Sequence, residues 1–269
     1  MSWTDPFKVS PGKPVDLRHV DPSQCLDFKK GQTSKALLAE NRDALAQLQY
    51  KLYAESKQSL LIVLQGIDAA GKDGSIRKVF TAFNPQGCSV TSFKAPSKKE
   101  LSHDYLWRVH RATPSKGSVG IFNRSHYEDV LIVRVLDLVP ESIWSNRYDE
   151  INQFEQMLSS NGTRILKFFL YIDPDEQKER FQARLDDPLK NWKFSKGDLE
   201  QRKLWEGYID AYQDMLNQCS TNTAPWYIVP ANRKWFRNIL ISQVTREVLE
   251  DMNPQLPRPE DGLDKIVIQ

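Results

Sequence analysis

Apolar positions recur along this chain in two alternating rhythms, one helical and one strand-like. Between Ser34 and Lys57 the leucines Leu38, Leu45, Leu48 and Leu52 are spaced seven, three and four apart, which is one stripe of a helix. Ser59 to Gln65 is a short, nearly continuous apolar run of the kind expected of a strand covered on both faces. Ile76, Val79, Phe80 and Phe83 then fall at i, i+3, i+4 and i+7 and predict a helix that Asn84, Pro85 and Gly87 stop. Cys88 to Lys94 and Ser118 to Phe122 predict a second and a third strand, with a capping box at Ser97 and Glu100 between them. Glu141 to Ser159 is expected as one long helix, with Ile143, Tyr148, Ile151, Phe154 and Leu158 on its buried face and Asn161-Gly162 at its end. Arg164 to Ile172 is a fourth strand and Asp173-Pro174 caps the helix after it. A helix to about Gln218, a fifth strand over Pro225 to Val229 and a last helix over Arg233 to Asp251 complete the series.

Strands alternating with helices predict an α/β fold built on a parallel five-stranded sheet flanked by helices. Residues 1–30 show no clear periodicity and are expected as an irregular arm. Residues 31–255 are expected as one domain, with a segment at about 178–203 set apart from the sheet, and 256–269 as a tail.

Composition changes this picture little. The chain has 37 basic and 35 acidic residues, so its formal charge of +2 implies neither a nucleic-acid nor a membrane partner, and any polyanion site must be a local patch. Its apolar runs are far shorter than the roughly 20 residues that span a bilayer. The N-terminus carries Asp5, Pro6 and Lys8 where a secretory signal has an apolar core. Cys25, Cys88 and Cys219 lack metal or redox spacing and are read as buried, reduced thiols of a cytoplasmic protein.

Three segments carry candidate chemistry. In LLIVLQGIDAAGKDG, residues 60–74, a strand runs into a glycine loop that opens a helix. Gly66, Gly71 and Gly74 let backbone amides approach phosphate oxygens, Lys72 adds a cation and the helix adds its dipole. This nearly matches the phosphate loop G-x-x-x-x-G-K-[ST], but Asp73 replaces the hydroxyl that usually meets magnesium. Asp68, inside the loop, is the leading metal ligand, since a carboxylate among such donors repels phosphate unless a hard cation intervenes; the alternative is a solvated loop residue. The third strand runs into Asn123-Arg124-Ser125-His126-Tyr127-Glu128-Asp129, at a strand end where α/β sheets collect ligands. Arg124 is suited to neutralise phosphate oxygens in a bidentate manner. Glu128 and Asp129 either orient a metal or nucleophile or complement a helix N-terminus, and Arg134 lies further along the same presumed helix. His126 has no second His or Cys at ligand spacing and is read as a structural group or a substrate contact. Residues 177–203 form a basic stretch in which Arg180 and Arg184 share a helix face. It is either a solvated face or a flap that neutralises charge and excludes water on closing.

GIDAAGKDG, DYLWRVHRATPSKG at 104–117, IFNRSHYEDVLIVRV at 121–135, ARLDDPLKNWKFSKGDL at 183–199 and APWYIVPANRKWFRN at 224–238 together resemble the polyphosphate kinase 2 family. The five motifs occur in order over roughly residues 30–250. The resemblance implies a three-layer P-loop kinase-like fold with a helical lid, similar to thymidylate kinases. It implies Mg2+-dependent, reversible phosphoryl transfer from inorganic polyphosphate to AMP or ADP, with Mn2+ as an alternative ion and guanine nucleotides as further acceptors. By motif, Asp68, Lys72, Arg124, Arg180 and Arg184 become the catalytic set, with Asp68 at the metal. Gly66, Ala69, Ala70, Gly71, Lys72, Asp73, Gly74 and Lys193 become phosphate contacts. Asn123, Arg124, His126, Tyr127, Glu128, Asp129 and Arg134 become the nucleotide site. Asn123-Arg124-Ser125 departs from the Asp-Arg-Ser of many relatives, and with His126 to Asp129 resembles the class III subgroup that accepts nucleoside monophosphates and diphosphates. Relatives assemble as homodimers or homotetramers. The competing functions are an ATP-dependent nucleoside monophosphate kinase, which shares core and lid, and a non-catalytic polyphosphate-binding protein, which does not need Asp68.

Overall fold

In the computed structural model the five apolar runs pair into one all-parallel sheet, because every strand is followed by a helical crossover that returns the chain to the same end. The structure describes residues 2–263 together with Ile266 and Ile268; Met1 of the expected arm and residues 264, 265, 267 and 269 of the expected tail lie outside them. The strands are β1 (Ser59–Gln65), β2 (Cys88–Ser92), β3 (Val119–Asn123), β4 (Thr163–Tyr171) and β5 (Trp226–Pro230), in the order β2-β3-β1-β4-β5. The longer helices are α1 (Gln32–Glu55), α2 (Lys72–Val79), α3 (Arg147–Ser160), α4 (Pro174–Leu185), α5 (Lys196–Lys203), α6 (Trp205–Cys219) and α7 (Lys234–Met252).

All seven residues of β1 are buried, as a central parallel strand covered on both faces requires. Alternate residues feed two cores. Leu61 and Val63 meet Tyr212, Met215 and Trp226 on one face, while Leu60, Ile62 and Leu64 meet Leu240, Val244 and Leu45 on the other. This three-layer arrangement, with the phosphate loop after the central strand, is the P-loop kinase-like fold. Register then fixes the site. Leu64 of β1 lies opposite Asn123 of β3, and the Arg124 amide donates to Leu64 O at 3.0 Å. The loop after β1 and the polar turn after β3 therefore leave the sheet side by side.

The structure corrects two expectations and adds to a third. The helix expected over Glu141 to Ser159 is two, Glu141–Trp144 and α3; Asn146 Nδ2 donates back to Ser142 O at 2.7 Å, the local bonding by which Asn competes with a helix. The N-terminal arm is irregular but tightly packed, burying Phe7, Val9 and Leu17, with the Val9 amide on Trp226 O. Of the three cysteines only Cys219 is buried; Cys25 and Cys88 are partly exposed. Among the described residues no helix is long and apolar enough to cross a membrane.

Candidate active site

Between the β1 turn and the segment 184–193 lies a cleft of about 850 Å³ at the carboxyl ends of the strands. Its floor is the glycine loop. A Cβ at Gly66 would stand 2.6 Å from Leu170 O, so glycine there lets the loop pass close to β4. Gly71, at φ +107°, ends the loop and caps α2; L residues other than glycine rarely adopt that conformation. Lys72 is buried, and its ammonium donates to Gly66 O at 2.5 Å and Ile67 O at 3.4 Å. Burial, reinforced by the nearby Arg124, lowers its pKa to about 8.

The aspartate at position 73 is explained by its partners. Asn123 Nδ2 donates to Asp73 Oδ1 at 2.7 Å, and Lys193 Nζ lies 3.4 Å from Asp73 Oδ2. Burial raises its pKa, but Asn123 and Lys193 outweigh that and hold it below the usual carboxylate value. Asp73 thus ties α2 to the end of β3 and to the overlying segment. An aspartate at position 123 would face a like charge there.

Across the cleft Arg124 takes φ +61°, which turns its side chain up beside the loop. Its Nη2 donates to Asp68 Oδ1 at 2.6 Å. Glu128 lies on the far side of this pair, in a smaller pocket shared with Asp68, Arg124, Tyr208 and Tyr212. Burial raises its pKa against the pull of Arg124 and Lys72. In the amide orientation that satisfies both ends, Gln65 donates to Glu128 Oε1 at 3.0 Å and accepts from Ser125.

Four residues expected at the nucleotide lie elsewhere. The chain after Ser125 is a 3-10 turn, His126–Val130, and not a continuous helix, so its side chains spread on several sides. His126 and Tyr127 point inward, are fully buried and bond to Glu155. Asp129 pairs with Arg147, yet burial still pushes its carboxyl up to about 6. Arg134 pairs with Asp214 and lies over the Trp144 ring, outside the cleft.

The residues expected in a lid divide as well. Arg180 lines the cleft, but its donors are spent on protein: Nε on Glu176, Nη1 on Ala69 O and Ala70 O, Nη2 on Ala231 O and Asn232 O. Its placement is that of a brace joining α4, the glycine loop and the turn after β5. Ala69, at φ +67°, is one of the residues it holds. Arg184 and Lys193 do line the cleft, and Arg184 Nη1 also donates to Lys193 O at 3.0 Å, shaping the segment.

Sequence reasoning did not single out Arg77, Lys94, Lys234 or Arg237, all on the cleft wall with Lys190 of the basic stretch. The signal for Lys234 and Arg237 was the run Asn232-Arg233-Lys234-Trp235-Phe236-Arg237 following β5, where a loop and a helix N-terminus recur at a strand's carboxyl end. In all, ten lysines and arginines face two aspartates, Asp68 and Asp73. Such a surface attracts an anion of several charges and binds it less well as salt rises.

Among the described residues no three His, Cys, Asp or Glu side chains converge to hold a metal by themselves. A hard divalent cation bound there would take one or two carboxylates and complete its shell with water and phosphate oxygens. Asp68, about one-third exposed at the cleft, is a carboxylate that could hold such a cation.

The family model described as Polyphosphate kinase 2 matches residues 28–257. The AMP/ADP-polyphosphate phosphotransferase of Meiothermus ruber is 50% identical over 265 residues, covering 98% of this chain and 99% of that protein. The ADP-polyphosphate phosphotransferase of Rhodopseudomonas palustris is 44% identical, with 99% and 96% covered. The crystal structure of polyphosphate kinase 2 from Arthrobacter aurescens TC1 superposes with a TM-score of 0.92 at 42% identity, covering 97% of this chain and 93% of that one.

Proposed function

The chain belongs to the polyphosphate kinase 2 family, and from that premise we propose that it transfers the terminal phosphoryl group of inorganic polyphosphate to AMP and ADP, with Mg2+ as the divalent cation. The observation that carries this reading is the ring of ten cations about the glycine loop. The M. ruber relative, whose name includes both acceptors, supports both for this chain.

An oxygen of the acceptor's terminal phosphate attacks the end phosphorus of the polymer in line. The new P–O bond forms as the bridging P–O bond breaks, and the shortened polymer leaves with that electron pair. The attacking oxygen is already anionic, so no general base is required and the barrier is one of charge. The amides of residues 71–74 and Lys72 bind the phosphoryl oxygens, and Arg124 neutralises charge spreading over them. Asp68 orients Arg124 through its 2.6 Å ion pair. Asp68 would hold the divalent cation, which when bound would supply screening of the phosphates' mutual repulsion. Arg184 and Lys193 close over the cleft and exclude water, which would otherwise hydrolyse the donor. Exchange of one phosphoanhydride for another makes the transfer reversible.

Phosphorus NMR of the purified protein with AMP, Mg2+ and polyphosphate, with no ATP, tests this. ADP and then ATP resonances should grow as internal polymer signal falls. Asp68→Asn should reduce turnover by about 10²-fold or more while tripolyphosphate still binds. Phosphorylation that requires added ATP would reject the proposal, and full turnover by Asp68→Asn would remove the metal from that residue.

A further inference from the structure

Arg237 stands on the first turn of α7 and is only 3% exposed. Its hydrogen bonds are to its own neighbour, Asn238 Oδ1, at 3.2 and 3.0 Å, and to Ala70 O at a long 3.3 Å. Among the described residues no carboxylate pairs with it, and the acid nearest in charge, Glu176, is engaged by Arg180 Nε at 2.6 Å. Burial and then the like charge of Arg180 disfavour its cationic form. A buried cation without a counter-ion is costly unless an anion arrives to meet it.

The glycine loop is built around this side chain. A Cβ at Gly71 would stand 1.9 Å from one terminal nitrogen of Arg237, and a Cβ at Gly74 would stand 3.2 Å from the other. The guanidinium is thus wedged under the first turn of α2 while lining the cleft. Two helix N-termini meet here, and that of α7 has no side-chain cap from Arg233. Lys234 lines the same wall, its pKa lowered by burial and then by Arg180.

Resting on the polyphosphate reading above, we propose that Arg237, with Lys234 and the N-terminus of α7, is a second anion subsite that holds a phosphoryl residue of the donor polymer other than the one transferred. The unpaired guanidinium gains the polymer's charge, and the α7 amides gain its oxygens. The subsite also gives the polymer a direction: its unreacted residues leave past α7 and Lys190 of the lid. The wall formed by the end of β2, Asn123 and Arg124 is left to the acceptor.

Arg237→Met, Arg237→Lys and Lys234→Met test this by steady-state kinetics and by the rise in melting temperature that tripolyphosphate causes without nucleotide. Arg237→Met should raise KM for polyphosphate at least about tenfold, leave KM for AMP nearly unchanged, and reduce the tripolyphosphate-induced stabilisation. Arg237→Lys should recover part of both, and the exposed Lys234→Met, which does not touch the core, should shift the polymer KM in the same direction. A fall in kcat with the polymer KM and the stabilisation unchanged would make Arg237 a strut only and overturn the inference. A rise in KM for AMP instead would overturn its direction. Failure of tripolyphosphate to stabilise the wild-type protein would reject the polyphosphate reading itself.

Discussion

Lys72 is the residue at which burial, charge and ligand meet most sharply. Its ammonium rests on two carbonyls of its own loop, and burial lowers its pKa from 10.5 to about 8. Between these values the folded chain binds fewer protons than the unfolded one. This one group therefore adds stability as pH rises through the window, and its penalty is complete below pH 8. A bound phosphate favours the charged form and returns the proton. Calorimetric titration with tripolyphosphate at pH 8.5, in buffers of different ionisation heats, should show proton uptake that Lys72→Met lacks. Equal uptake by the two proteins would contradict this. The glycines, Lys72 and Arg124 were legible in the sequence because the loop and the strand end are contiguous there. Arg237 was not, because it meets Gly71 only after β5 returns the chain to the sheet.

The turn after β3 shows how an element places the site from beneath. Lys167, in the middle of β4, is fully buried with Glu155 of α3, and its ammonium also reaches Tyr127 Oη and Cys219 O, both at 2.7 Å. Through Tyr127 and His126 this network anchors the turn that holds Arg124 at positive φ. The dense polar string Asn123 to Asp129 reads in sequence as one functional cluster. The short 3-10 turn separates it physically, sending His126 and Tyr127 inward while Asn123 and Arg124 line the cleft. Sequence period cannot resolve that, since five residues are fewer than two helical turns. Burial alone would raise the pKa of Glu155, but Lys167 and then His126 hold it below its usual value. The stability this contributes is present above about pH 4.5 and is lost as pH falls through the lower folded pKa. Lys167→Met should cost about 3–5 kcal/mol by stranding the Glu155 charge, lowering Tm by roughly 10 °C. Adding Glu155→Gln should recover part of that loss. Calorimetry showing Lys167→Met as stable as wild type would contradict the network's role.

At the scale of the molecule, a chain of net charge +2 gathers ten cations around one cleft, so its affinity for a polyanion is a property of arrangement and not of composition. Alternating apolar periods made the sheet and most helices legible, because each strand must be covered on both faces. The lid's shape was less so. It depends on polar ties such as Arg184 to Lys193 O and Arg202 to Gln177 Oε1, which leave no periodic trace. The central claim is that the polymer's reacting end lies on the glycine loop. A crystal structure of the protein with tripolyphosphate tests it most directly. The terminal phosphoryl group should rest on the amides of residues 71–74 between Lys72 and Arg124, with the chain continuing past Arg237. Tripolyphosphate bound away from the Gly66 to Gly74 turn, with Asp68 facing bulk solvent, would contradict the account.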